Sequence, residues 1–96
     1  MAFNGLRLKY ALDGNSNYIA WKDRMEVVLE DNGLKDFIDQ EVPKPAASNA
    51  TKLAKWEKCV ARARRILLEG VRDHIVLSLH VKETPFSMWK TLKNLY

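Results

Sequence analysis

The sequence predicts a small all-α fold, a compact bundle of about five short helices with an extended N-terminal arm. Apolar residues recur at spacings of three and four through most of the chain, as they do along the buried face of a helix. Glycines, prolines and capping side chains separate these stretches and mark where helices start and stop. The chain has 96 residues, which is enough for one domain with a single hydrophobic core.

The N-terminal segment has a different periodicity. From Leu6 to Leu12 apolar residues fall at every second position, which is typical of an extended segment with one side facing a core. No partner strand is evident in the sequence. We therefore expect residues 1–15 to form an extended arm and a turn, and residues 16–96 to form the helical domain.

The first helix follows a dense cluster of turn-forming residues. Ser16 or Asn17 is placed to cap it, and it should run to about Asn32. Gly33 should end it, because a residue without Cβ enters the left-handed region at little cost. Its predicted buried stripe consists of Trp21, Met25, Val28 and Leu29.

A short second helix and a longer third helix flank the clearest internal loop. Apolar residues around Phe37 predict the short helix, which should end before Pro43. Residues 41–49 hold two prolines and two alanines and predict the loop. Asn49, or the serine before it, can cap the third helix, which should end or bend at Gly70. The predicted buried stripe of this helix consists of Leu53, Trp56, Val60, Ala63 and Leu67.

Two further helices are predicted in the last third of the chain. Residues 71–81 are apolar enough for a helix or a strand, and a helix is preferred because no second strand is available to pair with them. Thr84 and Pro85 predict the start of the fifth helix, with threonine as cap and proline at the first helical position. Its buried stripe consists of Phe86, Trp89, Leu92 and Tyr96. No stop signal precedes Tyr96, which indicates a fragment of a longer polypeptide.

Composition narrows the functional classes. The net charge of +4 permits contact with nucleic acid or an anionic surface without requiring it. The single cysteine, Cys59, excludes an intrachain disulfide and a multi-cysteine metal site, and this fits a reducing intracellular compartment. No apolar run approaches the roughly 20 residues of a membrane helix. We expect a soluble intracellular protein without a membrane partner.

The sequence holds no recognisable catalytic or metal-binding motif, such as a glycine-rich phosphate loop, a nucleophile elbow or a zinc-binding helix. His74 and His80 are six positions apart and would lie on different faces of a helix, so they cannot share a metal. Glu26, Glu30 and Asp31 are on the exposed side of the first helix, where a solvated charge is the ordinary explanation. We predict no enzymatic activity, no small-molecule substrate, no cofactor and no metal.

The three tryptophans and the cysteine each have two interpretations. Trp21, Trp56 and Trp89 could stack on nucleic-acid bases, but each falls on the apolar stripe of its helix, which favours core packing. Cys59 has the basic Lys58 beside it, as a reactive thiol often does. Its place next to the apolar stripe favours the role of a small hydrophobic residue at the edge of the core.

The third helix has two unlike sides. Four cations cluster nearly opposite its apolar stripe, at about 100° per residue. We call them the basic ridge: Lys55, Lys58, Arg62 and Arg65. Such a ridge suits phosphates, because lysine and arginine side chains displace condensed counterions from RNA or DNA. A solvated face or a surface for a protein partner is the alternative, and the preferred one.

Leu12, Gly14, Asn17, Tyr18 and Trp21 follow one another early in the chain, and residues 84–96 close it with Trp89, Leu92 and Tyr96. This order of motifs resembles the start of the Gag polyprotein of copia-type LTR retrotransposons. In that family a pattern like L-x-G-x-N-Y-x-x-W opens the capsid region, and a segment like T-A-x-x-x-W-x-x-L-x-x-x-Y follows later; residues 84–96 are similar to the second. The family-motif residues are Leu12, Gly14, Asn17, Tyr18, Trp21, Trp56, Trp89, Leu92 and Tyr96. The resemblance covers about residues 6–96. The sequence departs from the family pattern at two points. It has one additional residue within positions 15–17, and Pro85 stands where the family usually has alanine.

The resemblance implies a structural function. Copies of such an N-terminal capsid domain self-associate, as pentamers and hexamers in the full-length protein, to form the shell of a cytoplasmic virus-like particle around element RNA. As a hypothesis, the arm from Leu6 to Leu12 and the surfaces of the first and third helices provide the contacts, while the basic ridge faces the RNA or water. Two alternatives stay open: a host-domesticated Gag-derived adaptor that binds a protein partner, and an RNA-binding module. The C-terminal half of the capsid and the zinc-knuckle cysteines of the family are absent from this sequence.

Overall fold

Residues 11–96 are the part of the chain that the structure, a computed structural model, describes, and they form an all-α fold. The helices are α1 (Tyr18–Asp31), α2 (Asp36–Asp39), α3 (Ala50–Glu69), α4 (Asp73–Leu79) and α5 (Pro85–Leu95), and a 3₁₀ turn at Asn15–Asn17 precedes α1. The predicted fold class and number of helices are therefore confirmed. The predicted arm lies outside the described residues, except for its end at Ala11 and Leu12.

Three helix ends form as local chemistry predicts. Gly33 follows α1 with φ of 71°, the left-handed conformation that favours glycine. The side chain of Asn49 caps α3 by accepting a hydrogen bond from the backbone N–H of Lys52 at 3.3 Å. At the start of α5, the Thr84 hydroxyl accepts from the N–H of Ser87 at 3.1 Å, and proline occupies the first turn.

The start of α1 differs from the prediction. Asn17 is at the N-cap position, but its side chain makes no capping bond with α1. Its Oδ1 atom instead accepts from the N–H of Asp13 at 3.0 Å, and its Nδ2 donates to the carbonyl of Ala11 at 2.9 Å. The side chain of Asn17 therefore stabilises the turn that leads into the helix, which leaves it unable to cap the helix itself.

The predicted helix over residues 71–81 is shorter than expected, because Val71 is extended. Val71 forms a single parallel β-bridge with Leu12. The N–H of Leu12 donates to the carbonyl of Gly70 at 2.9 Å, and the N–H of Arg72 donates to the carbonyl of Leu12 at 2.9 Å. The extended end of the predicted arm thus has a partner after all, and α4 can start only after Arg72.

The core lies between α1, the second half of α3, and α5. Helix α5 contacts α2, α3 and α4, and α1 contacts α3. The buried cluster consists of Leu12, Tyr18, Trp21, Met25, Leu29, Leu34, Ile38, Ala63, Ile66, Leu67, Val71, Ile75, Leu79, Met88 and Leu92. Within residues 11–96, no helix has the length and apolar character needed to cross a bilayer.

The predicted stripe of α3 is buried only along its second half. Ala63 and Leu67 are fully covered, whereas Leu53, Trp56 and Val60 are half-buried. The first half of α3 therefore has solvent on most of its surface. This exposes the charged side of the helix over its full length.

Candidate interaction surfaces

The family-motif residues from the two ends of the described chain meet at Trp21. Its indole N–H donates to the carbonyl of Gly70 at 2.7 Å, and its side chain is completely buried. Its ring lies 5.7 Å from that of Trp89, centroid to centroid. Trp21 thereby connects α1 both to the end of α3 and to α5.

Tyr18 extends this aromatic cluster. Its ring centroid lies 6.3 Å from that of Trp21 and 5.8 Å from that of Tyr96, distances typical of favourable ring packing. Burial raises the pKa of the Tyr18 hydroxyl above its ordinary value, and the nearby carboxylate of Glu26 raises it further. Among the other motif residues, Leu12 and Leu92 are fully buried.

Trp56 is a motif residue outside that cluster. It is half-buried, and its indole N–H donates to the carbonyl of Val42 at 3.1 Å. The ammonium nitrogen of Lys44 lies 6.0 Å from its ring centroid, within the range of a cation–π contact. Trp56 therefore holds the loop before α3 against the helix. Gly14 lies in the partly exposed turn that Asn17 stabilises.

The basic ridge is exposed along its whole length. The side chains of all four of its residues, Lys55, Lys58, Arg62 and Arg65, are exposed. Arg62 donates to the side-chain carbonyl of Asn32 at 3.2 Å, next to the end of α1. In the described range the ion pairs are Lys22 with Glu26 and Lys35 with Asp39, so no ridge cation is paired with a carboxylate there.

Arg64 lies close to the ridge in sequence but has a structural role. Its Nη2 donates to the carbonyl of His80 at 3.2 Å and to that of Lys82 at 3.1 Å. It thereby fastens the connection between α4 and α5 to the side of α3. The cation is half-buried, unlike the exposed Arg65 beside it.

The hypothesis from the sequence places contacts on the surface of the first helix without naming its residues, and the outer side of α1 is an exposed part of that surface. Two large apolar side chains are exposed there, Ile19 at 66% and Val27 at 63%. Asp23 and Glu30 are exposed as well, and at about 100° per residue all four fall within roughly 80° of arc. We call these four residues, Ile19, Asp23, Val27 and Glu30, the acidic face.

A sequence signal for this surface exists in the distribution of charge. Seven of the twelve acidic residues lie between positions 23 and 41, and seven of the sixteen basic residues lie between positions 44 and 65. Segregation of opposite charges into neighbouring segments indicates two surfaces of opposite sign. The acidic segment covers most of α1 and α2, and the basic segment covers most of α3.

A shallow cleft lies between α1, α2 and α5. It has a volume of about 580 Å³, and Ile38, Phe86 and Trp89 contribute its apolar lining. Lys90 and Lys93 also line it. Neither lysine pairs with a carboxylate in the part of the chain that the structure describes.

The residues considered for catalysis or metal binding are dispersed. His74 Nε2 lies 3.0 Å from the carbonyl oxygen of Asp13, and His80 Nδ1 lies 3.3 Å from that of Val76. Cys59 is half-buried and packs against the core. Among residues 11–96, no three histidine, cysteine or acidic side chains are grouped so that they could hold a metal ion.

Comparisons of the chain with models of protein families, with curated proteins and with solved structures find no match. The aromatic cluster around Trp21 and the surfaces of α1 and α3 are the features of the described residues that bear on function. Both surfaces are charged, exposed and supported by helices that pack on one core.

Proposed function

We propose that this chain is a structural, non-enzymatic capsid domain that binds copies of itself. In the full-length protein implied by the resemblance to copia-type Gag, such copies would build the shell of a cytoplasmic virus-like particle around element RNA. Neither a cofactor nor a small-molecule substrate takes part in this function.

The observation that carries the proposal is the meeting of the two motif regions in one cluster. Tyr18 and Trp21 come from the first motif, and Trp89 and Tyr96 come from the second. The rings form a series in which Tyr96 neighbours Tyr18, Tyr18 neighbours Trp21 and Trp21 neighbours Trp89, and the centroids of neighbouring rings are at most 6.3 Å apart. Residues that define the resemblance thus serve to hold α1 and α5 together.

Self-association is a suitable task for such a domain. A core that fixes the helices also fixes the charged surfaces on α1 and α3 relative to each other. Weak contacts between fixed surfaces can build a closed assembly, because each added subunit makes several contacts at once.

Electron microscopy tests this function directly. The chain should be concentrated alone, and also purified within the longer Gag polyprotein that the resemblance implies. We expect capsomer-like rings or closed shells in at least the second preparation. Dispersed monomers in both, with light scattering at the monomer mass, would contradict the proposal and favour an adaptor that binds its partner as a monomer.

RNA binding is a second candidate, favoured by the cations of the basic ridge, which are exposed and are not paired with carboxylates within residues 11–96. A phosphate-led interaction must weaken steeply as salt increases, because its affinity derives from counterion release. Titration of single-stranded RNA with the chain at several salt concentrations measures the slope of the logarithm of the binding constant against the logarithm of the salt concentration. Reversal of Lys55 and Lys58 to glutamate removes two phosphate contacts and should reduce the magnitude of the slope by about 1.4, whereas the same change at Lys90 and Lys93 should leave it unchanged. Equal slopes for all three proteins would exclude the ridge as the RNA surface.

A further inference from the structure

We propose that the acidic face on α1 of one copy docks against the basic ridge on α3 of a second copy. This inference rests on the proposed self-association and names the surfaces that carry it. The occupant of each surface is therefore another molecule of the same chain.

The charges of the two surfaces are complementary, and within residues 11–96 neither surface is neutralised by ion pairs. Asp23 and Glu30 have no cationic partner among residues 11–96, and the same part of the chain offers the ridge no carboxylate partner. Oppositely charged surfaces guide association and set the orientation of a complex. The acidic face of one copy and the basic ridge of a second copy can therefore neutralise each other.

Like surfaces cannot pair with each other. Two acidic faces would place carboxylates against carboxylates, and two ridges would place lysine and arginine side chains together, and like charges held together in an interface repel each other. A contact between copies must then join unlike surfaces, α1 to α3.

Small residues beside the ridge leave room for the apolar side chains of α1. Exposed alanines, Ala54 and Ala61, lie beside the ridge cations, about 20–40° beyond Arg65 around the helix, and are seven residues apart, about 10 Å along the helix axis. The exposed Ile19 and Val27 on α1 are eight residues apart, about 12 Å. Two protruding apolar side chains on one helix can therefore pack over two small residues on the other, and this removes apolar surface from water.

A contact between unlike surfaces can propagate. After the first contact one copy keeps an unused ridge and the other keeps an unused acidic face, so a third copy can bind. Such heterologous contacts form rings where the rotation between copies closes. A ring of this kind is the unit from which a shell can be built.

Charge exchange between the surfaces tests the inference. One variant carries Asp23→Lys and Glu30→Lys, and the other carries Lys58→Glu and Arg65→Glu. The first variant presents a cationic α1 to a cationic ridge, and the second leaves the ridge with no net charge, so the self-association of each, measured by sedimentation velocity at low salt, should weaken about tenfold or more relative to the unchanged chain. An equimolar mixture of the two should form mixed dimers as tight as one contact of the unchanged chain, because the acidic face of the second variant and the ridge of the first are both unchanged.

A matched control changes the same amount of charge elsewhere. Lys90→Glu and Lys93→Glu alter exposed residues of α5 and should leave self-association unchanged. All variants should keep the far-UV circular dichroism spectrum and melting temperature of the unchanged chain, since the substituted side chains are exposed.

The results separate this inference from the proposed function. If the mixture fails to associate, or if the unchanged chain stays monomeric at millimolar concentration, the inference is wrong. If both variants within the longer polyprotein still form normal shells, the inference is wrong but the capsid function stands. If no shells form even without substitutions, the capsid function itself fails. Loss of RNA binding by the ridge variant, with unchanged self-association, would assign the ridge to phosphates instead.

Discussion

The indole N–H of Trp21 donates a hydrogen bond of 2.7 Å to the carbonyl oxygen of Gly70, a residue 49 positions away. The same oxygen accepts a second bond from the N–H of Leu12 at 2.9 Å. One carbonyl group therefore joins three segments: the chain before α1, the first turns of α1, and the end of α3.

Trp21→Phe should destabilise the fold by about 2–4 kcal/mol. The substitution removes the indole N–H that donates to the buried carbonyl of Gly70. It also leaves a cavity, because phenylalanine has one ring where the indole has two fused rings. Chemical denaturation followed by far-UV circular dichroism measures the free energy of unfolding. Trp56→Phe is the matched control, because Trp56 is half-buried and bonds only to the loop carbonyl of Val42. We expect a loss of about 1 kcal/mol there; equal losses at the two positions would contradict the central role of Trp21.

Gly70→Ala should lower stability by about 1–3 kcal/mol through crowding. A Cβ at this position would clash with the Sδ-bound methyl of Met25 and lie 3.3 Å from the carbonyl oxygen of Ile66. The backbone φ of −88° suits alanine, so conformational strain plays no part. Gly14→Ala is the control, because no heavy atom lies within 4 Å of a Cβ built there. Thermal melts that show no difference between the two variants would disprove the crowding.

Arg64 and Arg65 should respond differently to alanine substitution. Arg64→Ala removes two hydrogen bonds to the carbonyls of His80 and Lys82 and should cost about 1–3 kcal/mol of folding free energy. Arg65→Ala removes an exposed side chain and should change stability by about 0.5 kcal/mol or less. Urea denaturation of both variants measures the difference. If Arg65→Ala proved the more damaging, the structural role assigned to Arg64 would be wrong.

Stability should fall in alkaline solution because of Tyr18. The pKa of its hydroxyl is raised above the ordinary value of 10.0 in the folded chain, so the fold favours the neutral form. The resulting stabilisation is fully present below pH 10, where the Tyr18 hydroxyl is neutral in the unfolded chain as well. It is lost as the pH rises through the pKa that this hydroxyl has in the folded chain. Tyr18→Phe keeps the ring but cannot ionise, so its stability should fall less between pH 9 and pH 11. Parallel pH profiles for the two proteins would refute this effect.

Helix ends that depend on local chemistry could be predicted from the sequence. Gly33, Asn49 and Thr84 act through neighbouring backbone groups, and the structure places them as expected. The bridge between Leu12 and Val71 could not be predicted, because one isolated pair of residues leaves no periodic pattern. The predicted capping bond of Asn17 does not form, because its side chain bonds instead to backbone groups earlier in the chain, at Asp13 and Ala11.

Burial along α3 shows a limit of the helical pattern. Spacing predicts which side of a helix is apolar, but the other helices decide how much of that side they cover. Here they cover Ala63 and Leu67 fully and Leu53 only in part.

The two charged surfaces were predictable to different degrees. The basic ridge follows from helical angles, because its cations lie opposite an apolar stripe. The acidic face includes Ile19 and Val27, and single exposed apolar residues are ordinary on protein surfaces. Only the structure shows that both are exposed on the same side of α1 as Asp23 and Glu30.

The bridge between Leu12 and Val71 has a consequence for how the domain opens. It closes residues 12–71 into one loop that contains α1, α2 and α3. The start of α1 cannot then fray without releasing the end of α3, so the amides of Leu12 and Arg72 should exchange hydrogen together, near the rate set by global unfolding. Such a domain opens cooperatively, and until it does, its outer helices keep a constant mutual orientation.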